Sequence, residues 1–431
     1  MTKPLKIGIA GLGTVGVGTV KILTEQAEMV AARAGRPIDI THVSARTRSK
    51  DRGIDLSNYE WVDDPVSLAG APVDVVVELM GGSDGPALVL SQKSLEAGRH
   101  IVTANKAMIA HHGASLAQVS ETAGAQLRFE AAVAGGIPVI KALIDGLAAN
   151  TVQSVQGILN GTCNYILTVM DKEGADFAEV LADAQRLGYA EADPTFDIDG
   201  IDAAHKLAIL ASISFGTVID FSAVHTDGIR AVSPTDLEYA RELGYRLKLI
   251  GQASMRGGAL EQRVAPTLVP ESHPLAMVED SFNAVTFEGD PVGRVVLEGR
   301  GAGEGPTASA VVADLIDIAR GSTVPAFGVP TKHLRLCESA PANASSSRFY
   351  VRLTVRDEVG VAASIAQVIR DLGISMDSLL QRGQAGKGEV MFVLTTHRCS
   401  HETLGAAAQK LAALDVVLSQ PAILRIYDDD I

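Results

Sequence analysis

Asp193, Asp197, Asp199 and Asp202 crowd one short segment that runs directly into an apolar helix, and Lys206 sits one turn inside that helix. Between Ala203 and Phe215, Lys206 is the sole charged side chain when His205 is neutral, and Leu207, Ala208, Ile209, Leu210, Ala211 and Ile213 surround it with hydrocarbon. Asp202 and Lys206 stand four positions apart, so both project from one helix face. An ammonium held by one carboxylate, with its flank desolvated, has a proton affinity open to tuning, which acid–base chemistry requires. On a polar helix the same pair would be a surface contact worth about 0.2–0.5 kcal/mol. The apolar setting favours the chemical reading.

A second chemistry lies near the N-terminus. Lys6–Ala10 (KIGIA) reads as a buried strand, followed by Gly11-Leu12-Gly13-Thr14-Val15-Gly16 and a helical stretch to about Ala34. A GxGxxG run alone is a weak signal; between a strand and a helix it is a dinucleotide fingerprint. Gly11 makes the tight turn, Gly13 lets the backbone reach a pyrophosphate, and Gly16 permits helix-on-strand packing. The helix N-terminus adds unpaired N–H groups and its dipole. The next strand, Ile38–Ser44, ends not at an acidic residue for the ribose but at Ser44-Ala45-Arg46-Thr47-Arg48-Ser49-Lys50. Arg46, with its bidentate fork, or Lys50 would bind a 2′-phosphate, so NADP(H) is favoured and NAD(H) stays admissible. The competing reading is a solvated basic loop.

Three further segments face the same chemistry. Thr103-Ala104-Asn105-Lys106 closes the strand His100–Thr103, and in an open parallel sheet ligands bind beyond the carboxyl ends of strands. Lys106 would therefore face the crevice of the glycine loop, with Thr103 beside the cofactor. Gly157–Tyr165 (GILNGTCNY) leaves a strand through a polar turn that presents Asn160, Thr162 and Asn164, although a turn with a helix cap would look the same. The glycine turn 299–303 precedes a helix expected from Pro306 to about Ala319, where the backbone approaches a ligand again. Gly303 and Glu304 are placed at the cofactor for that reason.

These groups need elements to position them. Further strands are expected at Val73–Leu79 and Leu127–Phe129, and their alternation with helices predicts a parallel sheet covered on both faces. The fold class is α/β. An N-terminal Rossmann-type dinucleotide-binding domain covers 1–136, with 300–322 returning to pack on it, and an α+β catalytic and dimerisation domain covers 137–299. Residues 339–347 (SAPANASSS) form a linker. From 348 to 431 the order is strand Phe349–Val355, helix Val361–Leu372, strand Ile374–Gln381, strand Glu389–Thr395, helix Glu402–Leu414, strand Ala422–Tyr427, the βαββαβ ferredoxin-like module. A net charge of −14 disfavours nucleic acid and anionic membranes as partners. Cys163, Cys337 and Cys399 form no CxxC pair, and no apolar run approaches the ~18 residues of a membrane span. With no signal-peptide pattern at the N-terminus, a cytoplasmic location is expected.

Taken together these motifs resemble homoserine dehydrogenase, in order and over nearly the whole chain. They are GLGTVG at 11–16, VVVELMGG at 75–82, TANK at 103–106, EAAVAGGIP at 130–138, GILNGTCNYIL at 157–167, GYAEADPTFDIDGIDAAHKLAIL at 188–210 and GRGAGEGPTASAV at 299–311. The tail resembles an ACT domain, a small-ligand sensor module. The resemblance implies NAD(P)-dependent interconversion of L-homoserine and L-aspartate 4-semialdehyde, on the route to threonine, methionine and isoleucine. It makes Lys206 the proton donor and Lys106 the lysine between cofactor and substrate, sharing the proton transfer. Glu191, Asp197 and Asp202 match carboxylates that bind the substrate amino group or orient the lysine, with Asn160 and Thr162 in the substrate-binding turn. Glu130, Val133, Gly135 and Ile137 match positions where some members hold a monovalent cation (Na+ or K+), mainly through main-chain oxygens. The ACT module implies feedback by L-threonine at sites formed between paired subunits, hence a homodimer or homotetramer; the competing reading is a dimerisation domain alone. Cys163 stands where threonine is common, which should be a tolerated packing change, and Val359 where a proline often precedes Gly360. The rival within the enzyme class is another NADP-dependent aldehyde or hydroxy-acid reductase on the same scaffold. A noncatalytic sensor would have lost Lys106, Lys206 or the acidic cluster, and all three are present.

Overall fold

The computed structural model describes residues 3–340, 346–383 and 388–428. Six parallel strands form the first sheet: β1 (Leu5–Ala10), β2 (Ile38–Ser44), β3 (Glu60–Trp61), β4 (Val75–Glu78), β5 (His100–Thr103) and β6 (Leu127–Arg128). Their order, β3-β2-β1-β4-β5-β6, is that of a doubly wound dinucleotide fold, with its switch point between β1 and β4. Parallel strands are buried on both faces, which is why they read as continuous apolar runs. Val75 and Val77 pack in one layer with Ile7, Ile9, Val311 and Leu315, while Val76 packs in the other with Leu90 and Leu95. Val311 and Leu315 belong to the helix Glu304–Ala319, which lies on the helix Thr14–Glu25 so closely that a Cβ on Gly18 would stand 2.7 Å from Glu304 Cγ. The helical stretch after the glycine loop is two helices, Thr14–Glu25 and Ala27–Ala34, because Gln26 leaves helical geometry between them. The two-residue β3 is too short to show any period in sequence.

The second sheet has 11 strands: β7 (Thr151–Ile158), β8 (His225–Thr226), β9 (Tyr245–Arg256), β10 (Ala259–Pro270), β11 (Phe282–Asp290), β12 (Gly293–Arg300), β13 (Ser346–Arg356), β14 (Met376–Gly383), β15 (Glu389–Thr396), β16 (Cys399–Ser400) and β17 (Ala422–Ile426). The main path runs β12-β11-β7-β9-β10-β17-β13-β15-β14. Its last four strands are the ferredoxin-like tail. Their core joins Phe349, Val351, Leu353 and Phe392 to Ile365 and Ile369 of the helix Val361–Asp371 and Leu404 and Leu411 of the helix His401–Ala412. The tail does not hang from a free linker. β17 pairs in parallel with β10 through Thr267 with Arg425 and Leu268 with Ile426, so each strand covers an edge the other would expose. Within the expected linker, residues 341–345 lie outside the described residues. The Ala340 N–H donates to the Leu260 carbonyl of β10, and Ser346 and Ser347 already belong to β13. A buried ion pair fastens the tail further: Arg352 Nε donates to Asp236 Oδ1 at 2.7 Å, beside the Tyr350 hydroxyl at 3.1 Å.

The helix Ile201–Phe215 packs on β7, β9 and β10 of the second sheet and against the helix Lys106–Ala123; it is largely apolar and buried, as a core helix must be. Gly200 enters it with φ +81, and a side chain there would strike Thr226 at 2.9 Å. Asp202, His205, Lys206 and Ser212 are its buried polar residues. Among the described residues no helix is long and apolar enough to cross a membrane.

Candidate active site

The helix Ile201–Phe215 meets the start of the helix Lys106–Ala123, and the two lysines come together there on one carboxylate. Asp202 is 3% exposed. Its Oδ2 accepts from Lys206 Nζ at 2.6 Å and its Oδ1 from Lys106 Nζ at 2.7 Å. Lys206 also donates to the Leu159 carbonyl at 2.7 Å. Asn160 closes the network. Its Oδ1 caps the helix Gly161–Glu173 by accepting from the Cys163 N–H at 2.8 Å, and its Nδ2 donates to Asp202 Oδ2 and Asp197 Oδ1, each at 2.8 Å. Only a carboxamide offers one acceptor and two donors in that arrangement.

Burial penalises every charge in this cluster, and the partners decide who yields. For Asp202 burial opposes ionisation, but the Lys206 and Lys106 ammonium groups outweigh it and hold the carboxyl far below the usual carboxylate range. For Lys206 burial dominates, Lys106 adds repulsion, and the pKa falls despite Asp202. For Lys106 burial pulls the same way, yet Asp202, with Asp197 and Glu191 beyond it, reverses the sign and raises the pKa. Burial, then the charge of Asp202, pushes Asp197 up. Proton affinity is thus lowered at Lys206 and raised at Lys106.

The carboxyl ends of β1, β4 and β5 lie at the switch point of the first sheet, next to the start of the helix that carries Lys106, where a doubly wound fold takes its ligand. Gly11 has φ +106, and a Cβ there would lie 2.5 Å from the Leu79 carbonyl oxygen; a Cβ on Gly16 would lie 2.0 Å from the Gly11 carbonyl oxygen. Around Gly13 a Cβ would meet nothing within 4 Å. The first and third glycines are thus demanded by the chain's own packing, while the second leaves room for a pyrophosphate. The helix Thr14–Glu25 has no side-chain cap, so its leading N–H groups are available to an anion. These residues fit a dinucleotide. Two residues missed in the sequence brace these strand ends. Glu78, fully buried, accepts from the Thr103 hydroxyl at 2.7 Å and the Met80 N–H at 2.7 Å. Asn105 caps the helix of Lys106 and donates to the Gly82 carbonyl at 2.7 Å, which sets where Lys106 begins.

Comparison with known proteins gives a consistent result. Residues 11–130 match the model for the NAD-binding domain of homoserine dehydrogenase, 138–316 that for homoserine dehydrogenase itself, and 349–416 that for the ACT domain. The chain is 43% identical to a homoserine dehydrogenase of Neisseria gonorrhoeae, covering 98% of this chain and 99% of that one, and 44% identical to one of Pseudomonas aeruginosa with the same coverage. The chain belongs to the homoserine dehydrogenase family. Homoserine dehydrogenase is an NAD(P)-dependent oxidoreductase of amino-acid biosynthesis, and here it carries a C-terminal ACT domain. The crystal structure of a homoserine dehydrogenase from Thiobacillus denitrificans superposes with a TM-score of 0.93 at 42% identity over 99% of both chains. A hyperthermophilic archaeal homoserine dehydrogenase in complex with NADPH matches 73% of this chain, with a TM-score of 0.63 at 25% identity.

The remaining sequence-derived positions lie in several parts of the fold. Glu191 is exposed on the approach to Lys106. Thr162 is outside the Asp202 network, its hydroxyl donating to the Tyr189 carbonyl at 2.8 Å. The Cys163 thiol donates to the Asp197 carbonyl oxygen at 3.2 Å. Arg46 and Lys50 are exposed at the end of β2. Arg52, which carried no signal in the sequence, holds their loop: its Nε donates to the Leu12 carbonyl at 3.1 Å, Nη1 to Lys50 at 2.7 Å and Nη2 to Thr47 at 2.6 Å. Gly303 turns with φ +114 into the helix whose first residue, Glu304, pairs with Lys21 at 2.7 Å. Glu130, Val133, Gly135 and Ile137 share one sharp turn, with φ of +53 at Ala134 and +30 at Gly135. The Glu130 carboxylate is engaged by the Ile140 and Lys141 N–H groups at 3.0 and 2.9 Å. Among the described residues no group of three His, Cys, Asp or Glu side chains could hold a metal ion, so a cation here would rest on main-chain oxygens.

Proposed function

We propose that the chain interconverts L-homoserine and L-aspartate 4-semialdehyde, with Lys206 as the proton donor in the reducing direction. The supporting observation is the pair of lysines gathered on buried Asp202. The bound dinucleotide supplies or accepts the hydride. As negative charge develops on the aldehyde oxygen, the Lys206 ammonium stabilises it and passes its proton, an effect worth roughly 10²–10⁴-fold. Asp202 orients both ammonium groups. Lys106, more firmly protonated, shares the transfer and attracts the substrate carboxylate. Glu191 and Asp197 hold the substrate ammonium, with Asn160 and Thr162 in the adjoining substrate-binding turn, and so fix the reacting carbon.

For the cofactor, Gly11–Gly16, Thr103, Gly303 and Glu304 form the cradle, and Arg46 and Lys50 favour NADP(H) over NAD(H); the NADPH complex of the archaeal relative supports this choice. A monovalent cation, Na+ or K+, would sit on the main-chain oxygens of Glu130, Val133, Gly135 and Ile137. The working division is 1–136 with 300–322, 137–299, a 339–347 connection and 348–431. The ACT module makes L-threonine the natural effector and pairing of modules the natural assembly, a homodimer or homotetramer in the cytoplasm. One steady-state experiment tests the reading: oxidation of L-homoserine, beside simple 2-hydroxy acids, with NADP and with NAD, each with and without L-threonine. The expected result is homoserine turnover with the lower KM for NADP and inhibition by threonine. Preference for simple 2-hydroxy acids over homoserine would make the chain a general reductase instead.

A further inference from the structure

His205 immediately precedes Lys206 and is 4% exposed. Its ring stacks on Phe221, with centroids 4.1 Å apart at 21°, and lies 5.5 Å from Phe196, whose ring faces Lys106 Nζ at 5.6 Å. Its Nε2 stands 3.3 Å from Nε2 of His111, an exposed residue on the helix that begins at Lys106. Two imidazole nitrogens at that distance form a hydrogen bond only if one of them carries a lone pair. His205 supplies the neutral ring. Burial first, then the His111 ring and the charges of Lys106 and Lys206, hold its pKa down at about 4 against the opposing pull of Asp202. Those groups, with uncharged Phe196 and Phe221, are what faces it from its own helix and from the elements packed against it. Its Nδ1 is buried and has no hydrogen-bond partner among the described residues. Phenylalanine would fill the same stacked place without burying an unsatisfied nitrogen. Its Nε2 contact with His111 is thus the polar contact this ring makes among the described residues.

Lys106 and Asp202 belong to helices of different domains, and across the apolar seam between those helices their ion pair is one polar tie. We propose that the His111–His205 contact is a second polar strut across the seam, making His205 a positioning residue that keeps Lys106 and Lys206 together on Asp202. The proposal rests on the two-lysine reading given above.

The test is the pH dependence of homoserine oxidation in His205→Phe, His205→Gln and His111→Phe, with the wild type and Lys206→Ala alongside. His205→Phe keeps the stack but removes the strut. Its kcat should fall at least about 10-fold, since misplacing a reacting group by about 1 Å costs up to about 10²-fold, with KM for NADP unchanged. The pKa of the basic group in kcat/KM should rise, because Lys106 parts from Asp202 and no longer repels the charge on Lys206. His205→Gln, whose amide reaches the Nε2 position, should recover much of the rate, and His111→Phe should copy His205→Phe. If His205→Phe does not fold, the exposed His111 position answers the same question. Wild-type kcat and pH profile in the phenylalanine variants would overturn the strut. So would equal losses in the Phe and Gln variants with an unmoved profile, which reduce His205 to packing. A normal turnover in Lys206→Ala would instead sink the lysine reading, whatever the histidine variants do.

Discussion

Two largely buried clusters of lysine and carboxylate among the described residues differ in the balance of their charges. At Lys106–Asp202–Lys206 two cations share one carboxylate. At the end of β6, Lys141 faces Asp314 at 3.3 Å and Asp317 at 2.5 Å, and Asp314 also accepts from the N–H of Glu130. In the first cluster the carboxylate is held ionised and Lys206 yields proton affinity. In the second, burial and then the charge of Asp314 push Glu130 up to about 8. Burial raises Asp314 as well, against Lys141, while Lys141 ends up raised because its carboxylates outweigh its burial. Burial thus lowers a lysine's proton affinity in one cluster and raises a carboxyl's in the other, and the neighbouring charges set which groups keep their charge against it.

The largest test of that contrast is Asp202→Asn. Two ammonium groups would lose their shared counter-charge, one of them deeply buried, which should cost about 3–5 kcal/mol of stability and at least about 10²-fold in kcat. Denaturant unfolding and steady-state rates measure both, and a stable, active variant would erase the distinction. The second cluster offers a smaller effect with a definite sign. The folded pKa of Glu130 lies above its ordinary 4.5, so the native state binds the extra proton, and this stabilisation is complete at low pH and lost as pH rises towards about 8. Glu130→Gln cannot titrate and lacks that decline. Its Tm relative to wild type should therefore improve steadily between about pH 5 and 8; a constant difference would show that Glu130 is ionised throughout.

What sequence could and could not reveal follows from the range of the interactions. The Asp202–Lys206 pair is local, four residues on one helix, and the glycine loop is a backbone device whose residues are contiguous. Both were readable. The βαββαβ order of the tail was readable for the same reason, since hydrophobic period reports each element. The Lys106–Asp202 contact was not, because no periodicity links a helix after β5 to another far along the chain. Asn160 was readable both as a ligand-presenting turn residue and as a cap, but its two carboxylate contacts appear only once Asp197 and Asp202 fold against it. Arg52 spends its donors on backbone carbonyls, and Glu78 sits inside an apolar strand as a lone acid; that lone acid was the one available hint. The junction of β17 with β10 is edge pairing between distant segments, which propensity does not encode.

Everything in the catalytic account turns on the buried amine that Asp202 holds. The direct measurement is kcat for L-homoserine oxidation by Lys206→Ala, taken with the affinity of the same variant for NADPH. The account predicts a fall of at least about 10²-fold in kcat with NADPH affinity nearly intact. A turnover number close to wild type would contradict it.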